Sequence, residues 1–178
     1  MIRYRVAIIG CGAIGRRHLE SLLKFKKKIE IYLIDKSFSA LNLSKKIILK
    51  SKKKHNINYL LRIDMLPKKI DLAIIATTSD VRKDLTIKLL KQVNLKYIIF
   101  EKFVFQTIQD FKKINFLLKK HKVKSWVNTP YRLNQVYKKI KKHLKNKIFR
   151  MQVEGSNWSM GSNSIHWLDL FVFLTNQK

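Results

Sequence analysis

The chain has 178 residues, 46% of them hydrophobic, with 39 Lys and Arg against 11 Asp and Glu and a formal net charge of +28. That length and apolar content suffice for a packed core and exclude a chain that cannot fold. Such a charge ordinarily points to nucleic acid, but lysine outnumbers arginine and is spread over every polar face, Ile and Asn abound as in chains encoded by AT-rich DNA, and no RNA-binding, zinc-finger or helix-turn-helix pattern accompanies it, so only loose electrostatic attraction is expected.

The first element is the apolar run Val6–Ile9, without alternation, as in a strand buried on both faces of a parallel sheet. It breaks into Gly10-Cys11-Gly12-Ala13-Ile14-Gly15, three glycines at the spacing of a dinucleotide-binding turn. One makes the tight turn, one lets backbone approach a pyrophosphate, and one lets the helix pack close to the strand. The sole cysteine, Cys11, reads as a small turn residue; with no partner for an internal disulfide it suits a reducing cytoplasm. A helix is predicted over Ala13–Lys27, with His18 as a partly buried helix residue. A second strand from Glu30 ends at Asp35, about twenty residues past Gly15, where a carboxylate can accept hydrogen bonds from an adenosine ribose.

Ser37 or Ser39 caps a second helix through Leu49, the polar stretch Lys50–Asn56 with Ser51 to Lys54 is a solvated end and loop, and Ile57–Ile63 is a short third strand. Asp71–Ala76 is another buried strand, followed by Thr77-Thr78-Ser79-Asp80, where a parallel sheet delivers its loops to a ligand. Ser79 or Asp80 caps the helix Val81–Gln92, and Tyr97–Phe100 is a fifth strand ending in Glu101-Lys102. A helix over Gln106–Lys120 and a strand over Lys124–Asn128 follow. From Pro130 come a basic helix Leu133–Leu144, an alternating strand Ile148–Glu154, a Gly/Ser/Asn-rich loop Gly155–Ser164 and an apolar segment Ile165–Leu174. Apolar strands alternating with helices give the fold class as α/β. Residues 1–129 form a doubly wound, parallel-sheet Rossmann domain, and 130–178 begin an incomplete α/β substrate domain. No apolar run approaches the ~20 residues that span a bilayer, so a soluble, cytoplasmic protein without a membrane partner is expected.

The motifs Ile8 to His18, Ala76-Thr77-Thr78-Ser79-Asp80, Glu101-Lys102, Asn128-Thr129-Pro130-Tyr131-Arg132 and His166-Trp167-Leu168-Asp169, in this order, resemble the Gfo/Idh/MocA oxidoreductases. The resemblance runs along the whole chain. It implies NAD as cofactor, with NADP disfavoured by Asp35. The cofactor would be held by Gly10, Cys11, Gly12, Ala13, Ile14, Gly15, Asp35, Thr77, Thr78, Ser79, Glu101 and Lys102. It implies Lys102 and His166 as the catalytic pair, with Arg132, Ser162 and Asp169 toward a sugar-like substrate; of these, Asp169 chiefly positions its helix or orients His166. No metal site is implied, and a homo-oligomer is implied for a full-length protein.

Three departures stand out. Phe103 occupies the usual proline position, so the backbone that aims Lys102 is expected to differ; Arg82 occupies a position where histidine is common; Ser162 replaces a frequent catalytic aspartate. Family members are generally much longer, which implies a truncated chain. The function expected is hydride transfer between a nicotinamide cofactor and a sugar, sugar-nucleotide or polyol, in surface carbohydrate biosynthesis; the alternative is a truncated, non-catalytic nucleotide-binding remnant. Apolar surface is expected around Trp158, Trp167, Phe171 and Phe173.

Overall fold

A computed structural model describes residues 4–51, 55–145, 147–157 and 159–176. Six strands and four helices follow in the order β1 Arg5–Ile9, α1 Ala13–Leu23, β2 Glu30–Ile34, α2 Phe38–Leu49, β3 Asn56–Leu60, β4 Lys69–Ile75, α3 Ser79–Gln92, β5 Asn94–Phe100, α4 Ile108–Lys120 and β6 Lys124–Val127, with a 3-10 turn, Ile63–Met65, in place of a helix between β3 and β4. All strand pairs are parallel, in the order β3-β2-β1-β4-β5-β6. Val6 pairs with Ile31 on one side and Leu72 on the other, so β1 is central and the strand order reverses between β1 and β4. That reversal is where an open α/β sheet forms its ligand crevice.

The side-chain period of two divides each strand between two cores. Val6 and Ile8 point with Ile31 and Leu33 into a core closed by Leu19 and Leu23 of α1 and Leu41 of α2. Ala7 and Ile9 point with Ala73, Ile75, Ile98 and Phe100 into the other, closed by Leu89 and Leu90 of α3 and Ile114 and Leu118 of α4. The unalternated apolar runs of the sequence are the consequence of this two-sided burial.

Residues 1–127 and 128–178 form two compact units. In the second, a 3-10 turn, Pro130–Leu133, leads into α5 Gln135–Leu144, and α6 spans Met160–Thr175. Asn134 caps α5 by accepting the Val136 N–H at 2.9 Å. Tyr131 stacks on Tyr137 and meets Trp167 edge-on, with centroids 5.8 and 4.9 Å apart. Leu170 and Leu174 of α6 are buried.

The predicted strand Ile57–Ile63 is observed as Asn56–Leu60, with Ile63 in a 3-10 turn, and further elements differ. Residues 148–154 alternate but form no strand, because a strand persists only through a hydrogen-bonded neighbour, and none pairs with this segment among the described residues. The loop predicted to run to Ser164 ends at Ser159, so Ser162 lies in the first turn of α6. The cap of α3 is Thr78 rather than Ser79 or Asp80, and its side chain makes no capping bond. Trp158 and Lys52 to Lys54 fall outside the described residues. Trp167 and Phe173 are half-buried and Phe171 is 37% exposed. Among the described residues no helix is long and apolar enough to cross a membrane.

Candidate functional site

The turn after β1 is built by two contacts that only glycine allows. Gly10 has φ of +94°, and a Cβ there would lie 2.9 Å from the Ala76 carbonyl carbon and the Thr77 nitrogen. A Cβ on Gly15 would overlap the Gly10 carbonyl, so α1 can pack this close to β1 only without a side chain. Gly12 is different: a Cβ there would meet nothing within 4 Å. It is also the N-cap of α1, with no side chain capping the first amides. The protein itself therefore leaves open the space in front of a helix N-terminus, the place where backbone N–H groups and the helix dipole favour a phosphate. Ala13 and Ile14 are exposed beside it.

Asp35, just past β2, accepts the Cys11 N–H on Oδ2 at 2.7 Å and the Ser37 N–H on Oδ1 at 2.8 Å. A carboxylate has about four acceptor positions, so lone pairs remain for a ligand hydroxyl. Cys11 is buried, and its thiol is pushed up to about 12 by burial first and by the nearby Asp35 charge second. It is therefore a packed turn residue, not a nucleophile. A crevice of about 680 Å³ runs along the carboxyl ends of β1, β2 and β4, lined by Gly10, Gly12, Asp35, Thr77 and Thr78, and by Lys36, Arg62 and Lys88. Thr77 Oγ1 in its wall is buried and has no hydrogen-bond partner among the described residues.

At the ends of β4 and β5 the loops are joined through Arg82, only 2% exposed on α3. Its Nη1 donates to the carbonyls of Glu101, Phe103 and Val104, the last at 3.0 Å, and its Nη2 donates to the carbonyl of Thr77. Burial lowers its pKa, opposed by the Glu101 and Asp80 carboxylates. Glu101 is also buried, and its Oε1 accepts from His18 Nε2 at 2.7 Å. Lys102 is half-buried, and the Lys102–Phe103 peptide bond is cis although Phe103 is not proline. Ser79 is the first residue of α3.

In the second unit Arg132 grips Asp169. Its Nε donates to Oδ2 at 2.8 Å and its Nη2 to Oδ1, a bidentate pair. The Arg132 guanidinium carbon also lies 5.7 Å from the centroid of Phe173. His166, half-buried one turn earlier on α6, lies against Tyr131 with ring centroids 5.2 Å apart. Ser162 Oγ donates to the Ser159 carbonyl at 3.1 Å.

A family profile described as "Oxidoreductase family, NAD-binding Rossmann fold" matches residues 4–129. The chain belongs to this family, Gfo/Idh/MocA. Comparison with curated proteins gives no match. Among solved structures, the chain is similar to myo-inositol dehydrogenase from Lactobacillus casei, described in complex with NAD(H) and myo-inositol, at 22% identity and a TM-score of 0.74, covering 99% of this chain and 55% of that one. It is similar to an NAD-binding protein from Listeria innocua at 20% identity and a TM-score of 0.73, covering 96% and 54%. It is also similar to a transcriptional regulator from Kluyveromyces lactis at 13% identity and a TM-score of 0.74, covering 97% and 50%. The chain thus spans about half the length of the solved structures it matches, and at these identities the likeness is one of fold.

The residues of this Gfo/Idh/MocA chain fit the family's NAD. The open face of Gly12, the uncapped amides of α1 and the orphaned Thr77 hydroxyl are all features that a phosphate-bearing dinucleotide completes. Sequence reasoning missed Arg62 and Lys88 in the crevice wall and the clamp made by Arg82. On a chain this basic an arginine four residues into a helix reads as solvated surface, and only the convergence of distant carbonyls marks it as buried.

Proposed function

We propose that this chain is the cofactor-binding part of an NAD-dependent oxidoreductase that interconverts a hydroxyl and a carbonyl on a polyol or sugar-like molecule. The open face of Gly12 at the start of α1, with the Asp35 carboxylate in the same crevice, carries the reading. NAD supplies a hydride-accepting carbon when bound. The amides after Gly12 bind its pyrophosphate, and Asp35 accepts from ribose hydroxyls while opposing a 2′-phosphate by like charge. In the first unit Lys102, with its ammonium, stabilises negative charge developing on the substrate oxygen. In the second unit His166 is the proton acceptor of this reading, since a neutral imidazole nitrogen can accept a proton by hydrogen bond. Arg132 and Asp169, being paired, hold the start of the unit to α6 near His166.

The inositol dehydrogenases of similar fold favour a polyol over a nucleotide-linked sugar as substrate class. A second reading, a nucleotide-binding protein without turnover, is favoured by Ser162, which cannot carry the charge of the aspartate it replaces. Titration of the chain with NADH and NADPH, followed by fluorescence, is the first test. Tighter binding of NADH is expected, and equal or tighter binding of NADPH would remove Asp35 from its role. A screen with inositols and sugars separates the two readings: NADH formation lost by about 10²-fold or more in Lys102→Met, with NADH affinity retained, supports the enzyme. Absence of turnover with every polyol, in a protein extended to the length of its relatives, supports the binding protein.

A further inference from the structure

Arg82 holds together two loops that belong to different strands. One guanidinium donates to the carbonyl of Thr77, after β4, and to those of Glu101, Phe103 and Val104, after β5. The β5 carbonyls lie on both sides of Lys102. Ile75 and Phe100 are register partners at the ends of the two strands, so the loops leave the sheet as neighbours, with the Glu101 N–H donating to the Ile75 carbonyl at 3.2 Å. Five donors in a rigid plane suit this task, whereas a lysine ammonium is a point charge on a flexible stem.

A dinucleotide lies across the reversal of strand order with one mononucleotide over each half of the sheet. Asp35 and the Gly10 to Gly15 turn lie on the β1 and β2 side and serve the adenosine ribose and the pyrophosphate. The remaining mononucleotide, which carries nicotinamide, then faces the ends of β4 and β5. We propose that Arg82 is a positioning residue for that half alone: by fixing Thr77 and the residues flanking Lys102 on one guanidinium, it sets the two walls that receive nicotinamide. The inference rests on the cofactor reading above. A merely structural Arg82, holding α3 against the sheet, predicts something else, since its loss would weaken both halves of the crevice alike.

ADP-ribose carries the adenosine, the pyrophosphate and the second ribose without nicotinamide, so it separates the two. The chain, Arg82→Met and Arg82→Lys would be titrated calorimetrically with NADH and with ADP-ribose. In Arg82→Met, NADH affinity is expected to fall about tenfold or more, the scale of a slightly misplaced binding wall, while ADP-ribose affinity stays within about twofold. Arg82→Lys should fall between. Equal loss for both ligands, or loss for neither, overturns the inference. Failure of the unaltered chain to bind either ligand overturns the cofactor reading and the inference with it. If neither variant folds, amide exchange in the unaltered chain decides: NADH should slow exchange at Thr77 and at 101–104 together, ADP-ribose at neither, and slowing of only one loop by NADH overturns the coupling.

Discussion

The Asp35 carboxylate reaches back 24 residues to accept the backbone N–H of Cys11 at 2.7 Å, tying the end of β2 to the glycine turn that follows β1. One side chain therefore shapes the turn and presents negative charge to the crevice. Replacing it separates the two effects. Asp35→Ala should lower stability by about 1 to 3 kcal/mol, because the Cys11 and Ser37 amides lose a charged acceptor, read as a fall in the thermal midpoint. Asp35→Asn should shrink the preference for NADH over NADPH by about tenfold, or 1.4 kcal/mol, through loss of like-charge repulsion. An unchanged ratio in Asp35→Asn would assign cofactor choice to other residues, such as Lys36 and Arg62 in the same wall.

The glycines of the turn should divide by what surrounds them. Gly12→Ala places a methyl group where the protein has nothing within 4 Å, so its stability should change by no more than about 1 kcal/mol, the cost of a poorer N-cap. Its NADH affinity should nevertheless drop about tenfold or more, because the methyl fills the approach to the pyrophosphate. Gly15→Ala must push α1 off the Gly10 carbonyl and should fail first as a folded protein, in circular dichroism and melting. Retained NADH affinity in Gly12→Ala would move the pyrophosphate elsewhere.

How far the chain could be read from its residues follows from what makes each feature local. Val6 to Ile9, Ile31 to Ile34 and Ala73 to Ile75 lack alternation because helices cover both faces, and that pattern sits within each strand. The turn glycines were legible for the same reason. Residues 148–154 misled because alternation describes a half-buried strand but does not supply the neighbour it needs. Ser159 to Ser164 misled because Gly, Ser and Asn favour loops individually, whereas α6 is held by burial of its own later residues Leu170 and Leu174 and by Tyr131, which lies elsewhere in the sequence, against Trp167. Arg82 and the His18–Glu101 pair were invisible in kind: their partners are 19 and 83 residues away, and nothing in local composition records a carbonyl cluster or a carboxylate that arrives from β5.

Cys11 gives a prediction about pH. Its thiol is shifted from 9.0 to about 12 by burial and by Asp35, so the folded protein holds this proton more tightly than the unfolded chain does. The contribution is complete below pH 9.0 and is lost as pH rises toward about 12; Tyr32, also raised to about 12 chiefly by burial, acts in the same direction. Urea midpoints should fall across that window, and less steeply in Cys11→Ala. At pH 8 a thiol reagent should leave the native protein unmodified and react at once in denaturant. Prompt reaction of the native thiol would show that Cys11 is more accessible than its 1% exposure implies.

The last prediction concerns the second unit, where Arg132 and Asp169 are bound through two parallel hydrogen bonds while the arginine side chain remains 40% exposed. Water screens a pair this open, so its coupling should be about 1 kcal/mol, more than an isolated surface ion pair only because the geometry is bidentate and Asp169 is largely covered. A double-mutant cycle with Arg132→Met and Asp169→Asn, measured by urea unfolding, isolates that coupling from the separate loss of the Arg132 contact with Phe173. Arg132→Met keeps an apolar stem against that ring, so most of its cost should vanish when Asp169 is already Asn. The same variants bear on substrate binding. An arginine neutralised by Asp169 is a weak receptor for an anionic substrate, so Asp169→Asn should strengthen binding of a sugar phosphate relative to the uncharged polyol if Arg132 faces substrate. An unchanged preference would confine the pair to holding the 3-10 turn against α6.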